Sequence, residues 1–199
     1  ENDLPVAIKE YLPSQLALRQ AGDALPSISA DDVAAFNYGM RSFFEEGRSL
    51  AMLSHPNLVR VLDFFRANET AYIVMRYERG RTLQEHIRAR RGALREQFLR
   101  QVFAHLLNGL REVHRNRLLH LDIKPANIYV RNGGSPLLID FGAARQTLAS
   151  GGRLLTPMYT PGFAPPEQYN RRDALGPWSD IYAVGATLFA CLAGAAPQA

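Results

Sequence analysis

The chain has 199 residues, 47% of them hydrophobic and 21% charged, which excludes an intrinsically disordered protein and predicts a folded globular chain. Its single cysteine, Cys191, excludes an internal disulfide framework and a zinc site made of several cysteines; it suits a reducing compartment, so we expect a cytoplasmic location. The net charge of +4 is small and no basic surface interleaved with aromatic residues is evident, so we expect no nucleic-acid partner.

The first part of the chain predicts strands and one long helix. The apolar run at 4–9 predicts a strand, and the mixed segment from Leu12 to Pro26 resembles an insertion, either a tolerated surface loop or a surface for a partner. Apolar residues at helical spacing from Val33 to Leu50 predict an amphipathic helix. Ser29 and Asp32 have the spacing of a capping box at its start.

Apolar runs at 58–65 and 71–75 flank the turn-prone Asn68 and predict a β-hairpin. Helical patterns dominate the sequence that follows this hairpin. The change from strand-rich to helix-rich sequence predicts two lobes, at residues 1–77 and 78–199.

Four segments of the second lobe have a clear pattern. Helical spacing predicts helices at 83–90 and 97–115. Short apolar runs joined by a glycine-containing turn predict paired strands at 128–130 and 137–139.

The run from Ile181 to Ala196 contains no charged residue. It is interrupted by Gly185 and Gly194 and is shorter than the roughly 18 to 20 residues needed to cross a bilayer. It predicts a buried core helix capped by Asp180, without membrane contact by this segment.

The basic residues of the chain are almost all arginine. Of the 23 basic residues, 21 are Arg and only Lys9 and Lys124 are Lys. Lys carries a compact point charge, whereas Arg carries a wide planar fork. In a chain that otherwise uses Arg, a Lys position is therefore a candidate for contact with closely spaced oxygen atoms. The alternative is that the composition drifted toward Arg and the two lysines have no special role.

The side chains with the greatest capacity for chemistry lie in two short motifs. Asp122, Lys124 and Asn127 fall within six positions in a loop, and Asp140 follows a predicted strand. Two carboxylates, an ammonium group and an amide match what phosphoryl transfer requires, namely metal clamping, cation placement and orientation of the attacking hydroxyl. Hard oxygen ligands such as Asp140 and the Asn127 amide suit Mg²⁺.

Five motifs, in this order, resemble those of the eukaryotic-type protein kinase superfamily, and specifically a bacterial serine/threonine kinase domain. They are Val6-Ala7-Ile8-Lys9, the loop from His120 to Asn127, Asp140-Phe141-Gly142, Pro165-Pro166-Glu167 and the helix start from Asp180 to Gly185. The resemblance implies an α+β bilobal fold, with a small β-rich N-lobe that carries one long helix and a larger, mainly helical C-lobe.

The resemblance implies that Lys9 binds the α- and β-phosphates of ATP and pairs with a glutamate of the long helix. Glu45 and Glu46 compete for that role, and we assign it to Glu46, which lies four positions before Leu50 on the apolar face. The alternative for Glu46 is an exposed acid on the helix.

The middle of the chain resembles the adenine-binding part of a kinase. Met75 resembles the gatekeeper residue. Arg76, Tyr77 and Glu78 resemble the hinge whose backbone meets adenine.

In the loop motifs, the resemblance implies that Asp122 accepts or orients the proton of the substrate hydroxyl and that Lys124 neutralises the γ-phosphate. Asn127 and Asp140 are implied to hold Mg²⁺. Thr160 resembles the threonine that hydrogen-bonds the catalytic Asp and Lys. The alternative for the two aspartates is a capping role in their own loops.

The implied function is Mg²⁺-dependent transfer of the γ-phosphoryl group of ATP to a Ser or Thr hydroxyl of a protein substrate. Two alternatives from other classes remain open. A pseudokinase or docking module would be expected to lose a phosphate-binding or metal-binding residue, and none is lost. A small-molecule phosphotransferase would share the catalytic Asp and Asn but is not expected to carry the motifs at 140–142 and 165–167.

Two parts of the kinase pattern fall outside these residues. No glycine-rich loop precedes Val6, and the C-lobe helices beyond the central helix would come after Ala199. We therefore expect a domain truncated at both ends, with a partial N-lobe and a partial C-lobe and with weak or no activity as an isolated segment.

Leu121 replaces the arginine of the usual His-Arg-Asp motif, so the cation that meets a phosphorylated activation loop is missing. Activity is therefore expected not to depend on phosphorylation within 142–165. Replacing Thr147, Ser150 and Thr156 together by Ala should leave the turnover number unchanged in a steady-state phosphotransfer assay. A large loss of turnover would contradict this interpretation of Leu121.

Overall fold

The computed structural model describes residues 4–90, 93–141, 145–146, 159–170 and 174–198. The chain divides into two compact units, residues 1–54 with 59–77 and residues 55–58 with 78–199. They are called unit 1 and unit 2 below.

Unit 1 is a three-stranded antiparallel sheet with one long helix and a two-stranded ribbon. Its elements are β1 (Val6–Glu10), β2 (Ala17–Leu18), β3 (Ser27–Ile28), α1 (Val33–Ala51), β4 (Val61–Ala67) and β5 (Thr70–Arg76). The sheet order is β1-β5-β4, and β2 pairs with β3. The predicted strand at the start of the chain is confirmed as β1.

The predicted hairpin is confirmed as β4 and β5. Asn68 and Glu69 form its turn, with φ angles of 51° and 56°. Two successive residues in the left-handed region match a type I′ turn, whose twist suits antiparallel strands. Asn tolerates this conformation better than most residues, which explains why Asn68 marked the turn in the sequence.

The predicted long helix is confirmed as α1, with Phe36, Phe43, Gly47 and Leu50 buried. The predicted capping box at its start is wrong. The Ser29 hydroxyl donates to the Asp32 carboxylate at 2.6 Å, and no side chain caps the helix at Asp32. The short polar side chains bind each other, so neither is directed at the free N–H groups of the first turn.

Unit 2 contains most of the helices. Its elements are β6 (Gly80–Thr82), α2 (Leu83–Ala89), α3 (Glu96–Arg115), β7 (Leu118–Leu119), a 3₁₀ turn (Pro125–Asn127), β8 (Ile128–Arg131), β9 (Pro136–Leu138), β10 (Arg145–Gln146), α4 (Pro166–Tyr169) and α5 (Pro177–Ala193). Strands β6, β8 and β9 form an antiparallel sheet, and β10 pairs with β7. The predicted helices at 83–90 and 97–115 and the predicted strand pair are confirmed.

A reciprocal capping box does occur, at the start of α2. The Thr82 hydroxyl accepts from the Glu85 backbone N–H at 3.2 Å, and the Glu85 carboxylate accepts from the Thr82 backbone N–H at 2.6 Å. Two otherwise unsatisfied donors are paired in this way, which explains why α2 begins directly after the short strand β6.

Residues 55–58 belong to unit 2 although the sequence pattern assigned them to the first lobe. The Asn57 amide donates to the Pro136 carbonyl at 2.8 Å, and the Leu138 N–H donates to the Asn57 carbonyl at 2.8 Å. These bonds to β9 keep the segment with the second unit.

Helix α5 is the predicted core helix, but only one of its faces is buried. It begins at Pro177 and ends at Ala193, and one face is exposed, including Ile181 and Phe189, which are 51% and 52% exposed. The predicted cap at Asp180 is wrong, because Gly176 is the N-cap and Asp180 lies inside the first turn with its side chain fully buried. Among the described residues, no helix has both the length and the apolar character to cross a membrane.

Cys191 lies on the buried face of α5 and is 1% exposed. Burial raises the pKa of its thiol to about 12. A thiol in this environment stays protonated near neutral pH, so Cys191 is an inert core residue.

Candidate active site

Four polar side chains of unit 2 form one hydrogen-bonded cluster. Lys124 Nζ lies 2.7 Å from one Asp122 carboxylate oxygen and donates to the Thr160 hydroxyl at 2.8 Å. Thr160 donates to the other Asp122 oxygen at 2.7 Å, and the Asn127 amide donates to Asp122 at 2.9 Å. The structure therefore brings together four residues that the sequence placed up to 38 positions apart.

Asn127 holds the two ends of the loop. Its amide N–H₂ group donates to both the backbone carbonyl and the carboxylate of Asp122, each at 2.9 Å. The residue is 5% exposed and ends the 3₁₀ turn that leads directly into β8. Because the amide nitrogen is committed to Asp122, the amide oxygen is the group that Asn127 can offer to a ligand.

Asp140 lies at the same end of the β8–β9 hairpin as Asn127. The Ile139 N–H donates to the Asn127 carbonyl at 3.0 Å, one residue before Asp140. Asp140 is exposed and has a φ of 60°, a left-handed conformation that turns the chain sharply after β9. An amide oxygen and a carboxylate at one hairpin end are hard donors, a set that fits Mg²⁺ sharing ligands with phosphates and water. Among the described residues, no group of three His, Cys, Asp or Glu side chains has the arrangement of a protein-only metal site.

The backbone of the loop is held by a buried carboxylate. Asp180, which is fully buried, accepts from the backbone N–H groups of Leu121 and His120 at 2.8 and 2.9 Å. His114 Nε2 lies 2.8 Å from the same carboxylate. Asp180 therefore fixes the backbone of the loop that carries Asp122. Leu121, whose N–H is one of these two donors, has a φ of 62°.

His120 and Phe141 pack against each other inside unit 2. Both are fully buried, and their ring centroids are 4.4 Å apart. The Asp122 N–H donates to His120 Nδ1 at 3.3 Å, so Nε2 carries the proton and donates to the Ile139 carbonyl at 3.2 Å. Burial lowers the pKa of His120 below its ordinary value of 6.5, which keeps the ring neutral. Both rings are therefore packing residues of the core.

In unit 1, the ammonium group of Lys9 lies 3.4 Å from Glu46 Oε1. Lys9 is in the middle of β1 and Glu46 is on the inner face of α1, where its side chain is 7% exposed. Glu45 points to solvent, 64% exposed, and pairs with Arg48 at 3.7 Å. Of the two candidate acids, the structure brings Glu46 to Lys9.

The four predicted adenine-binding residues lie along the end of β5 and the segment after it. Met75 pairs with Ala7 of β1, and Arg76 ends the strand. Tyr77 is 48% exposed.

Comparison with known proteins gives the family. A family model described as the protein kinase domain matches residues 28–199. The chain belongs to the protein kinase family. The resemblance to the eukaryotic-type kinase superfamily is thus confirmed, and so is the α+β fold with a small β-rich unit and a larger helical unit.

Similar kinases are found among bacterial proteins. Serine/threonine-protein kinase B of Synechocystis is 34% identical over 84% of this chain and 31% of its own length. Serine/threonine-protein kinase PrkC of Bacillus subtilis is 34% identical over 83% of this chain and 26% of its own length. The chain spans about a third or less of the length of these curated relatives.

A solved structure, that of PpkA-294 in its apo form, is similar to this kinase chain with a TM-score of 0.80 and 35% sequence identity. The match covers 97% of this chain and 68% of that one.

Sequence reasoning missed three polar residues that support these kinase motifs. Gln168 donates to the Leu121 carbonyl at 2.9 Å, and Arg131 forms an ion pair with Glu78 at 3.1 Å. The Tyr129 hydroxyl donates to the Glu78 carbonyl at 3.3 Å. Each contact joins residues far apart in the chain, so no local pattern marks it. Gly142 of the third motif, and Thr147, Ser150 and Thr156, lie outside the described residues.

The buried neutral His120 makes the stability of this kinase chain depend on pH. In the unfolded chain the imidazole takes up a proton as pH falls below about 6.5, whereas the folded chain keeps it neutral. The unfolded state then binds more protons, so the free energy of unfolding should fall by up to about 1.4 kcal/mol per pH unit below 6.5 and should be insensitive to His120 above it. Urea unfolding at pH 7.5 and 5.5, compared with His120→Gln, measures this. Equal pH dependence in both proteins would contradict it.

Proposed function

We propose that this chain provides the catalytic residues of a serine/threonine protein kinase, which transfers the γ-phosphoryl group of ATP to a Ser or Thr hydroxyl of a protein. Units 1 and 2 would supply residues of the N-lobe and the C-lobe. The observation that carries the proposal is the Asp122 cluster, in which a carboxylate, an ammonium group and a threonine hydroxyl are hydrogen-bonded to one another at 2.7 to 2.8 Å.

Asp122 is the proposed acceptor of the substrate proton. The hydroxyl oxygen of the substrate attacks the γ-phosphorus, the bond from that phosphorus to the bridging oxygen breaks, and ADP leaves. The hydroxyl proton passes to the Asp122 carboxylate, which Thr160 and Asn127 hold in a fixed orientation. Fixing the acceptor before the reaction removes the cost of orienting it during the reaction.

Lys124 supplies positive charge beside the proton acceptor. Its ammonium group has three donors, of which Asp122 and Thr160 engage two. The third is available to an oxygen of the transferred phosphoryl group, where negative charge spreads in the transition state.

Asn127 and Asp140 are the proposed Mg²⁺ ligands, through the amide oxygen and the carboxylate. When bound, Mg²⁺ neutralises the charge that develops on the phosphate oxygens. The protein kinase family generally uses ATP and Mg²⁺, and both donors are at the same end of the β8–β9 hairpin.

Lys9 is the proposed ligand of the α- and β-phosphates, positioned by Glu46. Met75 is the proposed gatekeeper, and the backbone of Arg76, Tyr77 and Glu78 the proposed contact with adenine. Because Tyr129 already donates to the Glu78 carbonyl, the N–H of Glu78 is its more available group for the base.

The test of the proposed function is transfer of labelled γ-phosphate from ATP to protein by the full-length protein that contains this chain. Asp122→Asn should lower the rate at least about 100-fold, because it removes the proton acceptor. Asp63→Asn, at an exposed position of β4, is the matched control and should keep the wild-type rate. Binding of Mg-ATP without transfer by the wild-type protein would instead indicate a pseudokinase.

The two lysines give a second prediction. Lys9→Arg and Lys124→Arg keep the charge, but each should lower the transfer rate at least about tenfold, since a guanidinium is too wide to replace an ammonium group among converging oxygens. Arg100→Lys is the control, at a position that is 78% exposed in a pair with Glu96, and should leave the rate unchanged. Wild-type rates in both Lys→Arg variants would favour compositional drift as the origin of the two lysines.

A further inference from the structure

Three consecutive residues at the end of β1 make three different attachments. Lys9 contacts Glu46 of α1 at 3.4 Å. Glu10 is bound by Arg19, which belongs to the segment that resembled an insertion. Tyr11 packs on α1 through its ring. The two residues that follow Lys9 therefore attach β1 to the neighbouring segment and to α1.

The Glu10–Arg19 pair has the geometry of a strong interaction. Arg19 donates through both terminal nitrogens, at 2.6 and 2.9 Å, to the two carboxylate oxygens of Glu10. The side chains are only 20% and 24% exposed. The Tyr72 hydroxyl, directly across the sheet in register with Glu10, donates to the same carboxylate at 2.7 Å. The Arg19 hydrogen bond is the main reason that the pKa of Glu10 lies below its ordinary value.

Arg19 also fixes the ribbon that leads into α1. It follows β2 directly, and β2 pairs with β3 through Ala17 and Ile28. Ala17 is 3% exposed, so the ribbon is packed and not simply a solvated loop. Only four residues separate β3 from the start of α1. A bond from Arg19 to β1 therefore restrains the ribbon and, through it, the beginning of α1.

Tyr11 docks the same helix one residue further along. Its ring centroid lies 5.1 Å from that of Phe36 and 5.7 Å from that of Phe43. Its hydroxyl occupies the place where a Cβ at Gly39 would be, so only glycine at that position of α1 accepts the ring. Glu46 lies two turns further along α1.

The two ion pairs at the end of β1 differ in strength. The Lys9–Glu46 contact is longer than the roughly 2.7 to 2.9 Å of a strong charge-assisted hydrogen bond, and Lys9 is 33% exposed. A single contact of this length restrains a strand against a helix less than a two-point contact does. The bidentate Glu10–Arg19 pair, with contacts of 2.6 and 2.9 Å, is the stronger of the two.

We propose that residues 12–28 form a clasp between β1 and α1, and that Arg19 is a positioning residue that sets Lys9 against Glu46 through Glu10. Successive side chains of a strand point to opposite faces, so holding Glu10 on one face fixes the direction of Lys9 on the other. The consequence for phosphate transfer rests on the proposed function; the effect on Lys9 does not.

The clasp is tested by Arg19→Gln, which keeps a hydrogen-bonding group and removes the charged fork, in the full-length protein. Amine acetylation read by mass spectrometry reports on Lys9 and, as an internal control, on Lys124. Lys9 should react about fivefold faster in Arg19→Gln, with Lys124 unchanged. Arg19→Lys should restore part of the protection, since one ammonium group replaces a two-point contact.

The matched control is Arg48→Gln, which removes the exposed pair with Glu45 from the same unit. It should leave the Lys9 acetylation rate at the wild-type value. In the transfer assay, Arg19→Gln should lower kcat/KM for ATP about fivefold without changing KM for the protein substrate. Adding Glu10→Gln to Arg19→Gln should cause no further change, because the two side chains act as a pair.

Equal Lys9 acetylation in folded wild-type and Arg19→Gln protein would overturn the clasp. Acetylation that rises equally at Lys9 and Lys124 would overturn it too, as it would indicate general loosening. If Arg19→Gln does not fold, the same acetylation and transfer measurements on Arg19→Lys test the clasp. Wild-type protein that transfers no phosphate while Lys9 responds to Arg19→Gln would refute the proposed function and support the clasp.

Discussion

The loop that carries the proposed chemistry depends on one buried carboxylate. Asp180 has no exposed surface, and an unpaired charge in that position would be strongly destabilising. Its partners are the backbone N–H groups of His120 and Leu121 and the ring of His114. Satisfying the carboxylate therefore dictates the path of the backbone, including the left-handed conformation of Leu121 just before Asp122.

The two proposed phosphate-binding lysines are positioned in different ways. Lys124 is held locally, by two short contacts to residues of its own cluster. Lys9 has a longer contact with Glu46, and its place depends on how β1 and α1 are fastened together. A short polar network in a rigid loop is preorganised, whereas a long ion pair between a strand and a helix is adjustable. The proposed clasp gives the segment from Leu12 to Pro26 a role in positioning Lys9, in addition to the two interpretations that its sequence suggested.

Much of the local structure was predictable because its causes are local. Helical spacing gave α1 and α3 to within a residue or two at each end, and Asn68 marked the hairpin turn. Predictions from local sequence patterns failed where a distant part of the chain bound the side chain that the pattern had assigned to a local role. Asp180 has the position of a helix cap in the sequence, yet its carboxylate binds a backbone segment about 60 positions earlier. The apolar run correctly predicted a core helix at α5, but hydropathy did not reveal that one face of this helix is exposed, because it does not say how many sides of a helix are covered.

The sequence by itself determined the family and the identities of the proposed catalytic residues, because phosphoryl transfer needs particular functional groups in a particular order along the chain. The structure brings Glu46 to Lys9 and Thr160 to Asp122, the partners that the sequence favoured. Only the tertiary structure decided that residues 55–58 join unit 2 and that Arg19 binds Glu10, a pair that follows no sequence motif. Contacts of this kind depend on distances between elements, which no periodicity or motif in the chain encodes.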